Sequence, residues 1–453
     1  MQTRKLFGTS GIRGVVNQDL SPDFCHKVGL AIGTTLPVSS AVCVATDTRI
    51  SRDVVKEAVT AGLVATGINV VDLGILPTPA LALLTGECGF ATGIMVTASH
   101  NPPEFNGIKL FNADSVGYSR AQEAEIEKVF SELKFREGKR GTVQQAPYLK
   151  ERYISFIKAI FSKSRFNHHL KIVVDPGNGA ASKFATEIFA QMGLDPIPIN
   201  DEPNGLFPGR NPEPREDTLS GTVEFMRQRN ADLAICFDGD ADRVVFCDKD
   251  GFLGFNEPIA FISRLMVKRT GKKHVATTVE AGTLLDLAVK DLGAKVTRGK
   301  VGDVAVAHLT RELDAALGVE QVGVYIVPET GYYPDSIYAA LFLLSQLDNA
   351  DEIRQFFQNM PRLFFLNAKV PCPAGAKESV MARVEEQVEI FAPQQINTVD
   401  GLRLEFSDAW LLIRASGTEP VIRLICESTS STRADELINK GKQLVETLVE
   451  SHR

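Results

Sequence analysis

Asp238, Asp240 and Asp242 alternate in LAICFDGDADRVVF (233–246), directly after an apolar run. Alternation plus a turn that Gly239 permits can bring three carboxylates onto one hard cation. An EF-hand loop counted from Asp238 needs Gly sixth and Glu twelfth, where this chain has Arg243 and Lys249. A solvated acidic loop is the competing reading, but three like charges beside an apolar strand are costly without a counter-ion. A second group lies in GIMVTASHNPPEFNGIKLF (93–111), where a strand at Ile94–Val96 runs into a Ser-His-Asn-Pro loop and Lys109 follows on the next strand. Ser99 on such a strand-anchored loop suits a nucleophile or phosphoryl carrier, and equally an ordinary polar turn. There is no G-x-S-x-G elbow, so His100 is not thereby marked as its base.

Two further segments carry anion chemistry. In WLLIRASGTEPVIRL (410–424) two strands flank Ser416-Gly417-Thr418, with Arg414 and Arg423 at the strand ends. Backbone N–H groups, hydroxyls and guanidinium forks together suit a phosphate, against the alternative of a hairpin turn with two surface arginines. FGTSGIRG (7–14) adds a Gly-rich stretch bearing Arg13. A serine, a carboxylate loop and a phosphate nest add up to metal-assisted phosphoryl transfer on a phosphorylated substrate.

Those groups need elements to hold them. Three stretches repeat strand, turn, amphipathic helix and strand: AVCVATDTR with a helix from Ser51 to about Ala65 and INVVDLG; LKIVVDPGNGA (170–180) with a helix to about Met192 and a strand near Asp195–Ile199; and HVATTVEAG (274–282) with a helix to about Leu292 and AKVTR (294–298). Val54, Val55, Ala58, Val59 and Leu63 form the first helix's apolar stripe, with Ser51 placed to cap it. The alternation predicts α/β units with mixed, mostly parallel sheets. The last ~85 residues read instead as α+β: a helical stretch at Glu378–Phe391, strands at Gly401–Phe406, Trp410–Arg414 and Val421–Cys426, and a helix at Arg433–Val449. Junctions are expected near Gln144–Tyr148, Asp248–Gly254 and Pro361–Pro373.

The 453 residues accommodate about three domains by length alone, and the pattern favours four. Lys plus Arg number 49 against 56 acidic residues, a net charge of -7, which argues against a generic nucleic-acid or anionic-membrane binder. No apolar run approaches the ~20 residues of a membrane span. The seven cysteines are scattered without a C-x-x-C pair, which disfavours zinc or disulfides. With no signal-peptide pattern at the start, a reducing cytoplasm is the expected home.

FGTSGIRG, TASHNP (97–102) with NGIK (106–109), DGDADR (238–243) and RASGTEP (414–420), in that order and spacing, closely resemble the α-D-phosphohexomutase family over essentially the whole chain. The resemblance implies three related α/β domains around a central cleft plus a C-terminal α+β domain. Boundaries are expected at 1–147 (phosphoserine loop), 148–250 (metal loop), 251–365 (sugar-reading loop) and 366–453 (phosphate loop). It implies Ser99 as phosphate carrier and, with Asp238, Asp240 and Asp242, as ligand to one Mg²⁺. Arg13, His100, Lys109 and Arg243 fall near the transferred phosphate, with Lys109 as the general acid/base through a lowered pKa. Glu320 and Gly323 would read the sugar, and Arg414, Ser416, Gly417, Thr418 and Arg423 would hold its other phosphate. The reaction implied interconverts hexose 6- and 1-phosphates through a hexose 1,6-bisphosphate that also serves as activator. The partner implied is a small phosphosugar, while oligomeric state is not legible.

The usual Gly-Glu-x-Ser-Gly loop is matched here by Val319-Glu320-Gln321-Val322-Gly323, so Val322 replaces a sugar-reading polar group. The usual Asp-Gly that follows is Asp335-Ser336, and the usual Arg-Thr-Lys is Arg298-Gly299-Lys300. Such changes bear on substrate choice, not reaction type. The first motif and Glu320-Gln321 lean toward the phosphoglucosamine mutase-like branch over the phosphomannomutase/phosphoglucomutase branch. A haloacid-dehalogenase-type phosphatase, which needs no Ser99, and a non-catalytic phosphosugar sensor are the other readings. His168, His169 and His308 read as surface or packing residues, and Trp410 as core.

Overall fold

A computed structural model describes residues 6–8, 11–417 and 419–451. Among these residues the strands form four sheets. The first contains β1 (Ile12–Val15), β2 (Ala41–Thr46), β3 (Asn69–Ile75), β4 (Thr92–Val96), β5 (Phe105–Asn112) and β6 (Val143–Gln145), in the order β1-β5-β4-β2-β3-β6. Its parallel part, β4-β2-β3-β6, is built from crossovers, and β4 and β5 pair antiparallel with the serine loop between them. The second contains β7 (Ile172–Asp175), β8 (Pro196–Pro198), β9 (Leu233–Phe237), β10 (Val244–Asp248) and β11 (Gly251–Phe252), ordered β11-β10-β9-β7-β8. Here β9 and β10 form the hairpin whose turn is the aspartate loop.

β12 (His274–Thr278), β13 (Lys295–Gly299), β14 (Leu317–Glu320) and β15 (Val324–Ile326) form the third sheet, ordered β13-β12-β14-β15. Every one of these three sheets mixes parallel and antiparallel pairs. The fourth is wholly antiparallel, with β16 (Phe364–Pro371), β17 (Gln395–Asn397), β18 (Leu402–Glu405), β19 (Ala409–Ala415) and β20 (Val421–Ser428) ordered β16-β20-β19-β18-β17. The α/β units with a C-terminal α+β unit are therefore present.

Several local expectations change. The Pro361–Pro373 stretch is no mere junction, because β16 occupies most of it and pairs with β20 over its full length. Its alternating burial is that of an edge strand, where prolines at the ends cost no ladder bonds. The Glu378–Phe391 helix divides into an α-helix, Lys377–Glu385, and a 3₁₀ turn, Val388–Phe391. The helix Arg52–Ala65 forms as expected, but Ser51 does not cap it. Its backbone is itself helical, and its hydroxyl accepts a bond from Asn106 Nδ2.

One apolar core runs through the first three units, joining Phe111, Tyr153, Phe184, Phe237 and Leu317. At its centre lies the helix Ser336–Leu344, apolar on all sides and buried throughout, as such a helix must be. The C-terminal unit has its own core around Val380, Leu411, Leu424 and Val445. Among the described residues no helix is long and apolar enough to cross a membrane.

Candidate active site

Ser99 lies at the β4–β5 turn with a left-handed φ of 51° and no exposure. A non-glycine residue holds that backbone only when its surroundings enforce it. Arg49, also fully buried, supplies the enforcement: Nη1 donates to the carbonyls of Pro102 and Phe105, and Nη2 to those of Ser99 and Asn101. Asp47 pairs with Arg49 Nε at 3.0 Å and accepts from Thr97 Oγ1 at 2.6 Å, while Thr97 Oγ1 in turn accepts the Ser99 amide at 2.8 Å. Sequence reasoning missed Asp47, Arg49 and Thr97. The signal was available, since Asp-Thr-Arg follows directly on the apolar strand β2.

The serine loop and the aspartate loop meet across the first two units. Ser99 Oγ donates to Asp238 Oδ2 at 2.6 Å, and His100 Nδ1 lies 3.2 Å from the same hydroxyl. Lys109 on β5 donates to Asp240 Oδ2 at 2.7 Å and to Asp242 Oδ2 at 2.6 Å. Arg243 N donates to Asp238 Oδ1 at 3.2 Å, and Arg13 Nη1 donates to Asn101 Oδ1 at 3.0 Å. Ser99, His100, Lys109, Arg13, Arg243 and the three aspartates are thus one cluster.

Electrostatics inside the cluster run against one expectation. Burial pulls the Lys109 ammonium down, but attraction to Asp240 and Asp242 outweighs it and leaves the pKa above the ordinary lysine value. The lowered pKa expected for a general base is absent, because two carboxylates sit where neighbouring cations were expected to dominate. Burial together with repulsion from Asp242 and Asp240 pushes Asp238 well up. For Asp240 burial opposes ionisation, yet Lys109 and Thr78 hold its carboxyl below the usual range. His100 is driven down by burial and then by Arg243, Arg13 and Lys109, so it is neutral.

One oxygen from each of Asp238, Asp240 and Asp242 lies within 4.8 Å of the others, and all three side chains are buried. Among the described residues, Oδ1 of Asp240 and of Asp242 have no hydrogen-bond partner. Three buried carboxylates gathered within one ion's reach, two of them with an unpartnered oxygen, fit a hard divalent cation.

The third unit brings Glu320 beside this cluster, within the field of Arg243 and Asp303. Its Oε1 accepts from Gly302 N at 2.8 Å, and burial followed by repulsion from Asp303 pushes its pKa up to about 7. Gly323, at a φ of 83°, accepts from Val244 N at 2.9 Å, and a Cβ there would lie 2.5 Å from the Val244 carbonyl. The loop is thereby seated on the strand that leaves the aspartates. Val322 packs against the apolar cluster of Val306, Ala307 and Ile326.

The segment expected to hold a phosphate is a separate grouping. Ser416 Oγ accepts from Glu419 N at 3.1 Å, and Lys377 Nζ donates to the carbonyls of Ser416 and Glu419. Arg423, a third exposed, donates to Glu419 Oε2 at 2.6 Å. Gly417 is exposed at the tip, and Thr418 lies outside the described residues. Arg414 was expected to face a phosphate, but it is nearly buried between Glu280 at 3.2 Å and Asp400 at 3.0 Å. Its strand position points it at the third unit. Lys377, distant in sequence, gave no signal.

Four domain descriptions of phosphoglucomutase/phosphomannomutase match in succession: α/β/α domain I at residues 4–137, domain II at 151–251, domain III at 256–363 and the C-terminal domain at 367–440. The chain belongs to the phosphoglucomutase/phosphomannomutase family. A family relative from Pyrococcus abyssi, described as a probable phosphoglucosamine mutase, is 37% identical over 447 residues, 98% of each chain. A phosphoglucomutase/phosphomannomutase from Thermococcus kodakarensis is 35% identical over 457 residues, again 98% of each. Among solved structures, a phosphoglucomutase/phosphomannomutase family protein from Burkholderia thailandensis superposes with a TM-score of 0.86 at 25% identity, covering 99% of this chain and 98% of that one.

Proposed function

We propose that the protein is a Mg²⁺-dependent phosphohexomutase that interconverts glucosamine 6-phosphate and glucosamine 1-phosphate. The observation that carries this reading is the fully buried Ser99 hydroxyl, 2.6 Å from Asp238 in a triad of converging carboxylates. Phosphorylated Ser99 donates its phosphoryl group to the free hydroxyl of the sugar phosphate. The resulting hexose 1,6-bisphosphate turns in the cleft, and its other phosphoryl group passes back to Ser99. Asp238, Asp240 and Asp242 with the phosphoserine would hold Mg²⁺, which would supply charge neutralisation for the phosphoryl oxygens. Arg13, Lys109 and Arg243 place fixed positive charge around the transferred group, and neutral His100 offers a hydrogen bond at the serine oxygen. Glu320 and the Gly323 turn meet the sugar. Ser416, Gly417, Thr418 and Arg423 receive the second phosphate, with Lys377 bracing the carbonyls of Ser416 and Glu419 and Arg414 tying its strand to Glu280 and Asp400.

The sugar follows from the names carried by the relatives at 37% identity and from the Glu320-Gln321 pair. Phosphomannomutase/phosphoglucomutase activity is the second reading, favoured by Val322, whose side chain packs into an apolar cluster where a sugar-reading group is usual. ³¹P NMR over glucosamine, glucose and mannose 1- and 6-phosphates, with Mg²⁺ and a trace of bisphosphate, separates them. Preferential conversion of glucosamine phosphate is expected, while preference for mannose or glucose phosphate selects the second reading. A Ser99→Ala variant should lose at least 10³-fold in turnover, by analogy with loss of other covalent nucleophiles. Full turnover in that variant would overturn the mechanism.

A further inference from the structure

The aspartate loop is gripped from outside its own unit. Within the second unit, Ala180 N donates to the Gly239 carbonyl at 2.9 Å. Beyond that anchor the chain passes through Ala241, whose φ of 57° is unfavourable for a residue with a Cβ. Two side chains from other units bracket this strained point. Thr78, first residue of the helix Thr78–Glu87 in the first unit, donates its amide to the Asp240 carbonyl at 2.9 Å. Its hydroxyl donates to Asp240 Oδ2 at 2.7 Å. Ser336, first residue of the helix Ser336–Leu344 in the third unit, donates its hydroxyl to the Ala241 carbonyl at 2.6 Å. Thr78 is 1% exposed and Ser336 not at all.

These bonds do two different things. The Thr78 hydroxyl shares Oδ2 of Asp240 with Lys109 and so fixes the plane of that carboxylate, leaving Oδ1 without a hydrogen bond among the described residues. The Ser336 hydroxyl fixes the peptide between Ala241 and Asp242, and with it the direction in which Asp242 leaves the chain. Partners that orient a ligand without touching the cation are commonly worth 10–100-fold in metal affinity.

We propose that Thr78 and Ser336 are positioning residues which hold the Asp240–Asp242 segment in its cation-binding shape. The affinity for Mg²⁺ thereby depends on the first and third units being docked on the second. This inference rests on the metal site of the proposed function, and the test separates the two.

Mg²⁺ binding is measured by calorimetry on the full-length chain, without sugar phosphate, alongside the melting temperature of the metal-free protein. The variants are Thr78→Val, Ser336→Ala, Thr78→Ser and, as control, Thr85→Val. Thr85 is buried on the same helix as Thr78, and its hydroxyl donates to the Leu81 carbonyl, away from the loop. Thr78→Val and Ser336→Ala are each expected to weaken Mg²⁺ by about tenfold. Thr78→Ser should stay within about threefold of the parent, and Thr85→Val should leave affinity unchanged. Affinities within twofold of the parent in both Thr78→Val and Ser336→Ala would overturn the inference, as would an equal loss in Thr85→Val. If Thr78→Val does not fold, Ser336→Ala against Thr85→Val decides. A parent protein that binds no Mg²⁺ overturns the metal site itself, and the inference with it.

Discussion

Arg49 illustrates how much of this site depends on one fully buried side chain. Its guanidinium holds four carbonyls of the serine loop and pairs with Asp47, both side chains being fully buried. Only a planar fork can serve so many acceptors at fixed angles; a lysine ammonium is a compact point donor. Arg49→Lys should therefore leave several buried carbonyls unpaired and release Ser99 from its left-handed backbone. A misplacement near 1 Å costs about 10²-fold in rate, which is the fall in turnover expected. Destabilisation on the order of 2 kcal/mol is expected from the unpaired groups. Turnover and intact mass, the latter reporting phosphate on Ser99, would check this. A variant that cycles phosphate through Ser99 at the parental rate would show that Arg49 merely fills space.

At the scale of elements, the helix Ser336–Leu344 is capped by Asp335, whose carboxylate accepts from Tyr338 N at 2.9 Å and from Tyr153 Oη at 2.8 Å. Burial outweighs these bonds and raises its pKa from 3.8 to about 6. Between those values the folded chain keeps a proton that the unfolded chain has released. Stability from this group is complete below about pH 4 and is lost as pH rises through about 6. Asp335→Asn keeps the accepting oxygen and removes the titration. Its unfolding free energy from urea titration should therefore gain on the parent's across that window, by on the order of 3 kcal/mol. Parallel pH profiles for the two proteins would assign the effect elsewhere. Elements such as the helix Arg52–Ala65 and the hairpin β19–β20 were legible because their apolar periods are local. The Ser99, aspartate and nest motifs were legible because each is a contiguous run. What stayed hidden depends on distance in sequence: Thr78 meets Asp240 across 162 residues and Ser336 meets Ala241 across 95. Nor does a run of alternating residues between prolines announce itself as β16, since its partner β20 lies far downstream.

For the whole molecule, the decisive joint lies between the third unit and the C-terminal one, which has a core of its own. Arg403 crosses that joint fully buried, donating to the carbonyls of Val279 at 2.7 Å and Ala281 at 2.9 Å beneath the Trp410 ring. Glu427 accepts from Trp410 Nε1 at 2.9 Å and from Thr283 N at 2.8 Å, capping the next helix across the joint. Nearer the cleft, Asp400 pairs with Arg414 and accepts from Val301 N at 2.9 Å, one residue before the Gly302 amide that holds Glu320. The Arg414 strand and the Glu320 loop, proposed to hold phosphate and sugar, therefore share one backbone turn, and loosening the joint should disturb both at once. The aspartate loop makes none of these contacts, being held from the first three units. Arg403→Ala should thus raise the KM for sugar phosphate by about tenfold, roughly one lost charge-assisted contact. Mg²⁺ affinity should stay within twofold, and calorimetric unfolding should split into two transitions as the C-terminal unit melts separately. A single transition with unchanged KM would mean that the apolar contacts alone dock the last unit; a parallel loss of Mg²⁺ would mean that the joint reaches the metal loop.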